Sequence, residues 1–333
     1  MISKNFVIVV GYGWSGSGAA IDLLDEFEGC KSLEGEFRIA KDPYGLLDLE
    51  TALVDDWDFI RNDVAIRDFL EYVEMLSRGT GLFRRVGKSF SKKLMINLVK
   101  YSQIYIRDLT DLVYFGDTFV HRYKISAYKS FLTKIRTRYG FNNGKEMFMA
   151  RLSHDQFEKI TKRYINNIFK NFFIYHKIDT VILDQAIAPE NIEKPLRYFN
   201  NSKIIIVDRD PRDIYCNMIR GNGLLGADLN IKDSAEKYIK WHNIMRWKSR
   251  NYHQDRSLKS NVLRLYFEDL VLDYENTIFK LEKFLNKEQD KSLFQKFFNP
   301  EKSLKNVGLW KKHPDQELME FIAKQIPNDC INL

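Results

Sequence analysis

Four of the chain's 17 glycines fall within eight residues: Gly11, Gly13, Gly16 and Gly18. A protein that uses glycine sparingly and then clusters it needs unusual backbone geometry at that place. The cluster reads Gly11-Tyr12-Gly13-Trp14-Ser15-Gly16-Ser17-Gly18, between an apolar run and a helical pattern. Such a loop turns successive backbone N–H groups inward, and the helix start behind it adds partial positive charge. Ser15 and Ser17 add two hydroxyl donors. The chemistry on offer is the binding of a phosphate-like anion. No lysine follows the glycines and no Asp is placed for magnesium, so an ATPase or GTPase would lack both of its cations. The spacing Gly11-x-Gly13-x-x-Gly16 also fits a dinucleotide site, with Glu34 or Glu36 at the distance expected for a ribose hydroxyl. An NAD(P)-dependent oxidoreductase is therefore an alternative.

A second cluster follows the apolar run Ile204-Ile205-Ile206-Val207. It reads Asp208-Arg209-Asp210-Pro211-Arg212-Asp213 and leads into a helical pattern. Pro211 suits the first turn of that helix and Asp213 suits its positive end. Arg209 stands at the C-terminal end of a strand, where open parallel sheets bind ligands. An arginine there can fork onto a phosphate. A local Arg–Asp ion pair at the helix start is the other reading of the same residues.

On these residues the chain resembles the sulfotransferases that use 3′-phosphoadenosine 5′-phosphosulfate (PAPS). That family has a strand, a Ser/Gly loop and a helix near its N-terminus. Later it has a strand ending in Arg-Asp/Asn-Pro-x-Asp/Glu, with a Ser eight residues after the Arg. Residues 7–24 and 204–218 carry those two matches. Leu265-Tyr266-Phe267-Glu268-Asp269-Leu270, with Asp273, is similar to the family's Tyr-Glu-Asp-Leu segment. Asn306-Val307-Gly308-Leu309-Trp310-Lys311-Lys312 is similar to the Gly-x-Trp-Lys/Arg segment of bacterial members.

The resemblance implies a P-loop-like, three-layer α/β fold with a central parallel sheet. It implies that Gly13, Trp14, Ser15, Gly16, Ser17 and Gly18 wrap the 5′-phosphosulfate. Arg209 and Asn217 would hold the 3′-phosphate, and Trp310, Lys311 and Lys312 would complete the donor site. The product nucleotide would be adenosine 3′,5′-bisphosphate (PAP), with no metal required. Two residues depart from the family pattern. Trp14 stands where Lys or Arg is usual, so Lys311 or Lys312 becomes the candidate cation. Asn217 stands where Ser is usual, and it can still donate to a phosphate oxygen. Two carboxylates compete as the base that takes the acceptor proton. Glu36 lies where glycan-modifying members carry a glutamate. Asp184 ends the run 180–183, near where small-molecule members carry a histidine. The implied acceptor is a carbohydrate hydroxyl on a glycan, polysaccharide or lipid-linked precursor, with no nucleic-acid partner.

The elements that must position these groups are legible as runs and periods. Phe6–Val10, Thr180–Leu183, Lys203–Val207 and Asn261–Phe267 are short and apolar, as strands buried on both faces are. Segment 31–38 offers a further strand. Helical patterns are expected over 190–199, 212–220, about 233–254, from Tyr274 to 286, 289–298 and 315–325. Strands alternating with helices argue for an α/β fold with a parallel sheet. Helical patterns also dominate from about 46 to 178. That stretch reads as a large insertion or cap within a single domain of residues 1–333.

Composition narrows the class. The chain has 333 residues, 44% apolar and 29% charged, with a net charge of +7. These values exclude a disordered tail, a collagen-like chain and a disulfide scaffold. No apolar stretch approaches the roughly 18 residues of a membrane helix, and Phe6–Val10 is too short for a signal peptide. Cys30, Cys216 and Cys330 show no ligand spacing and read as reduced thiols of a cytoplasmic protein. The basic excess sits between Thr80 and Gly140, with 13 Lys/Arg against 3 Asp/Glu. Aromatics are interleaved there, from Phe83 and Phe90 to Tyr123 and Tyr128. The segment can be a solvated face, part of an acceptor site, a peripheral membrane contact, or the surface of a non-catalytic nucleotide- or nucleic-acid-binding module. Helical spacing of Leu94, Leu98, Tyr101 and Tyr105 assigns some of it to a core. The six histidines show no motif placement.

Overall fold

The run Phe6–Val10 is apolar at every position because it is buried on both faces, each residue being 2% exposed or less. The computed structural model describes residues 4–80, 87–116, 126–139, 145–221, 234–248 and 260–331. Its strands are β1 (Asn5–Gly11), β2 (Cys30–Glu36), β3 (Leu112–Gly116), β4 (Lys145–Met149), β5 (Thr180–Asp184), β6 (Ser202–Asp208) and β7 (Val262–Tyr266). The helices used below are α1 (Ser17–Leu24), α2 (Phe59–Ser77), α3 (Leu98–Leu109), α4 (Ala127–Arg138), α5 (His154–His176), α6 (Pro211–Arg220), α7 (Ser234–Arg246), α8 (Phe267–Leu272), α9 (Tyr274–Leu285) and α10 (Gln316–Gln325). Among the described residues, no helix is long and apolar enough to cross a membrane.

The chain forms two compact units, Met1–Arg38 with Phe173–Leu333, and Ile39–Phe172. The first holds a five-stranded sheet in the order β2-β5-β1-β6-β7, with every pair parallel. Alternate residues face opposite sides of a strand. Val7, Val9, Ile205 and Val207 join one buried cluster with Ala20, Leu23 and Leu24 of α1 and Leu281 of α9. Phe6 points the other way and packs edge-on against Phe173 and Phe199, at 5.8 and 5.5 Å between ring centres. Helices cover both faces, so this is an α/β fold of three layers. A further cluster of Ile214, Tyr215, Met218, Tyr238, Met319 and Ile322 joins α6, α7 and α10.

The second unit contains α2 and α3 and most of α5. Leu94, Leu98 and Tyr105 are buried, and Tyr105 stacks on Tyr164 at 4.3 Å. Their hydroxyls are satisfied by Thr161 and Ser102, as buried polar groups must be. The unit also holds an antiparallel pair, β3 with β4, in a stretch expected to be mainly helical. Asn62 exchanges two hydrogen bonds with the Ala150 backbone, and Asp63 accepts from the Phe148 amide, so side chains of α2 fasten β4. Phe83, Phe119 and Tyr123 of the basic segment lie outside the described residues.

Two helix expectations are corrected. The pattern over 190–199 gives only Glu193–Leu196, a single turn around Pro195. The helix expected from Tyr274 to 286 is present as α9, and the short α8, which the pattern does not reveal, begins at Phe267, the expected end of the strand Asn261–Phe267. The pattern over 289–298 gives only a 3₁₀ turn at Lys291–Leu293. There the fully buried Glu26 carboxylate collects the Gln289 side-chain amide and the backbone amides of Gln295, Phe297 and Phe298, at 2.9–3.2 Å. A carboxylate offering several charge-assisted bonds outcompetes the helix ladder for those donors. Glu26→Ala leaves four donors without their acceptor and should lower unfolding free energy by on the order of 3 kcal/mol. Urea unfolding measures this, and a midpoint equal to wild type would mean that the loop is held by other contacts.

Candidate functional site

The C-terminal ends of the five parallel strands collect nearly every residue singled out above. β1 ends at Gly11 and the chain then turns through three left-handed residues: Gly13 (φ 76°), Trp14 (φ 52°) and Gly16 (φ 91°). Gly16 is the N-cap of α1 and offers no side-chain bond to its first turn. The Ala19 amide donates back to the Gly16 carbonyl at 3.0 Å, and no side chain of the cap competes with an anion for the amides before it. Close packing shapes the rest of the loop. A methyl group on Gly16 would fall 2.5 Å from the Phe267 ring, and one on Gly11 would fall 2.2 Å from Ser15 Oγ. Ser15 is buried, and its hydroxyl has no hydrogen-bond partner among the described residues. A methyl on Gly18 would meet nothing within 4 Å. The need for special geometry therefore stops at Gly16, and Gly18 is an ordinary exposed first-turn residue.

Arg209 reaches this loop directly. Its Nη1 donates to the Trp14 carbonyl at 3.2 Å, and its Nη2 donates to the Asn306 carbonyl. The same Nη2 lies 3.5 Å from Asp213, and the guanidinium sits 4.8 Å from the centre of the Phe267 ring. The side chain is buried, so its fork is committed to the protein and only Nε is left without a partner among the described residues. The local Arg–Asp pair therefore exists, and the same arginine adjoins the glycine loop.

The C-terminal segment is tied to the same corner. Asp213 accepts from the amides of Gly308 at 2.8 Å and Trp310 at 3.0 Å, while burial raises its carboxyl pKa. Asp210 caps α6 and is held by Arg212 at 2.9 and 2.6 Å. The Arg212 guanidinium in turn lies 3.6 Å from the centre of the Trp310 ring. Asn217 is half-buried on α6, and Lys311 and Lys312 are exposed.

The two candidate bases are register partners. Glu36 ends β2 opposite Asp184 at the end of β5, and Asp184 is also paired with Val9 of β1. Glu36 is exposed and ion-paired with Arg38 at 3.2 Å. Glu34 is exposed within β2. Among the histidines, His154 bridges Glu50 and Asp55, and the buried His242 bonds Asp329 at 2.8 Å. His121 and His253 lie outside the described residues.

Sequence reasoning misses three residues here: Arg246, Arg264 and Glu268. Asp208 is flanked by the buried Arg246, at 3.1 Å, and by Arg264. Arg246 lies 4.0 Å from the centre of the Tyr12 ring, so this ion cluster underlies the loop. Nothing in a single sequence marks Arg246. Glu268 has a signal, since it lies in the Tyr-Glu-Asp-Leu match, but its contact does not. Its Oε1 accepts from the Asp210 amide at 3.0 Å.

A family model described as "Sulfotransferase family" matches residues 7–291. The chain belongs to the sulfotransferase family. It is a transferase of sulfuryl groups, and the oxidoreductase reading of Gly11–Gly16 gives way to this. Among solved structures, it is similar to the sulfotransferase domain of the olefin synthase of Synechococcus PCC 7002. That match has 15% identity and TM-score 0.41, over 99% of this chain and 89% of that one. Sulfotransferase STF9 from Mycobacterium avium matches with 14% identity and TM-score 0.38, over 100% and 78%. The sulfotransferase domain from the curacin biosynthetic pathway matches with 12% identity and TM-score 0.40, over 99% of each. No curated protein sequence matches the chain.

In this sulfotransferase the loop glycines separate into required and replaceable ones. Gly16→Ala combines a left-handed backbone with the Phe267 clash and should cost about 2 kcal/mol or more. Gly18→Ala should be neutral or stabilise by about 0.5–1 kcal/mol. Thermal unfolding of both variants checks the order, and equal losses would contradict this loop geometry.

Proposed function

We propose that the chain moves the sulfuryl group of PAPS to a hydroxyl of a carbohydrate acceptor, on a glycan, polysaccharide or lipid-linked glycan precursor. One observation supports the donor above all: Arg209 bonds the Trp14 carbonyl at 3.2 Å. The glycine loop and the Asp208–Asp213 turn are therefore near enough to share one doubly phosphorylated adenosine. The open first turn of α1, with Gly13, Gly16, Ser17 and Gly18, receives the 5′-phosphosulfate. Asn217 donates to the 3′-phosphate, and Arg209 contributes its charge from within. Lys311 and Lys312 supply the cation that Trp14 does not, beside Trp310.

The acceptor oxygen attacks sulfur in line. An O–S bond forms as the bond from sulfur to the 5′-phosphate oxygen breaks, and the electron pair leaves on that oxygen of PAP. Loop N–H groups oriented toward it stabilise the growing charge, one such donor being worth roughly 3 kcal/mol. The acceptor proton passes to a carboxylate at the edge of β2 and β5. Glu36, the more exposed, is our first assignment and Asp184 the alternative.

The acceptor class draws support from α4. Tyr128, Phe131, Leu132 and Ile135 recur at helical spacing and are exposed, with Tyr139 following. Residues 127–139 also carry Lys129, Lys134, Arg136 and Arg138 and no acid. A cationic helix with an exposed apolar stripe suits the surface of an anionic bilayer, where a lipid-linked acceptor resides. With its free thiols we place the protein in the cytoplasm, in peripheral contact with a membrane. We propose no nucleic-acid partner.

Thermal unfolding with PAP, NADP and an oligonucleotide tests the donor. PAP alone should raise the midpoint, by the equivalent of about 2.7 kcal/mol at 100 times its Kd. Asn217→Ala should reduce that response. A response to NADP without one to PAP would overturn the assignment. Glu36→Gln should keep PAP binding and lose about 10²–10⁴-fold in transfer rate. Full turnover by that variant would move the base to Asp184. Sedimentation with vesicles should favour phosphatidylglycerol over phosphatidylcholine, and Phe131→Glu should remove the difference.

A further inference from the structure

Three buried side-chain atoms at the ends of β1, β6 and β7 have no hydrogen-bond partner among the described residues: Ser15 Oγ, Arg209 Nε and Glu268 Oε2. Of these residues only Glu268, 2% exposed, has no place in the chemistry above. It stands in the first turn of α8, immediately after β7. Its Oε1 accepts from the Asp210 amide, and the adjoining Phe267 ring lies between Gly16 and the Arg209 guanidinium. Glu268 therefore meets the Arg209 turn from the β7 side, while the loop meets it from the β1 side.

The charges around it are nearly all matched. The β6 turn presents Asp208, Arg209 and Asp210, and α6 presents Arg212, bound to Asp210, and Asp213, paired with Arg209. Arg246 of α7 and Arg264 of β7 both bind Asp208. The loop Gly11–Gly18 carries no charge. Among the described residues no arginine bonds the Glu268 carboxyl, while the neighbouring Asp269 is half-buried and faces Lys280 at 4.0 Å and Asp329 bonds His242.

We propose that Glu268 is a positioning residue for the anionic donor: it holds the Arg209 turn through the Asp210 amide and takes up a proton as the nucleotide binds. This rests on the PAPS reading. Burial pushes the Glu268 carboxyl up to about 7, against the pull of the Asp210 amide, its own amide and Arg209. Near neutral pH the group is therefore divided between its two forms. Ionised, it offsets the Arg209 charge that the nucleotide needs. An arriving anion raises its pKa further, and by linkage the proton strengthens anion binding.

The test is PAP affinity from pH 6 to pH 8.5 in wild type and Glu268→Gln, which keeps an acceptor for the Asp210 amide. The two should agree at pH 6. Wild type should then weaken relative to the variant as pH rises through about 7, by close to tenfold at pH 8.5 if binding raises the pKa by one unit. Titration of PAP itself cancels in this ratio. Parallel profiles would overturn the proton coupling. Glu268→Ala should bind more weakly than Glu268→Gln at every pH, and equality would overturn the holding role. Unfolding without nucleotide gives an independent reading. A raised carboxyl contributes stability below about pH 4.5 that is lost as pH rises through about 7. Glu268→Gln should lack this fall, and identical curves would also overturn the coupling. PAP binding to neither protein at any pH would overturn the donor assignment and the coupling together. PAP binding with parallel profiles overturns the coupling alone.

Discussion

The Arg209 guanidinium is the tie on which the candidate site depends. It joins the Trp14 carbonyl, 195 positions away in sequence, to the Asn306 carbonyl, 97 positions away, and closes on Asp213. Loop, strand end and C-terminal segment thus become one body. Trp14 holds a left-handed backbone conformation that costs a non-glycine residue about 1–2 kcal/mol. Its carbonyl bond to Arg209 and the packing of its indole against the α6 cluster offset that strain. Gly16 is fitted in the same way against Phe267, whose ring also faces Arg209. The shape of the glycine loop is set as much by β6 and α8 as by its own glycines.

Legibility in the sequence follows the physics of burial. β1, β5 and β6 announce themselves because a strand buried on both faces must be apolar throughout, and Pro211 marks the start of α6. Glycine marks the loop because left-handed backbone and close approach exclude other residues at Gly11, Gly13 and Gly16. Interactions made through the backbone leave no such trace. Asp213 holds Gly308 and Trp310 by their amides, and Glu26 organises 289–298 by amides that any sequence possesses. The meeting of Glu36 and Asp184 is a matter of strand order, and β2 lies beside β5 rather than beside β1. Arg246 is unreadable because a buried arginine looks like a surface one until Asp208 is seen beneath the loop.

Electrostatics divides the chain unevenly. The basic excess lies in 80–140, whereas the corner at the sheet edge is nearly balanced. There Arg209, Arg212, Arg246 and Arg264 face Asp208, Asp210 and Asp213 in direct pairs. Burying unpaired charges would cost several kcal/mol each, so the balance is what a folded interior demands. It also means that the corner does not attract an anion by bulk charge. On the proposed reading the attraction comes instead from oriented dipoles, in the first turn of α1, which no side chain caps, and in the left-handed turns before it. Dipoles fixed by packing cost no reorganisation when charge develops, which suits a reaction whose leaving group gains charge only as the bond breaks. In so balanced a setting one further proton is a large fraction of the net charge. On the proposed reading, the protonation of a single buried carboxyl near Arg209 then adds to what Lys311 and Lys312 supply at close range, whereas lysines farther off are screened by solvent and salt within about 10 Å.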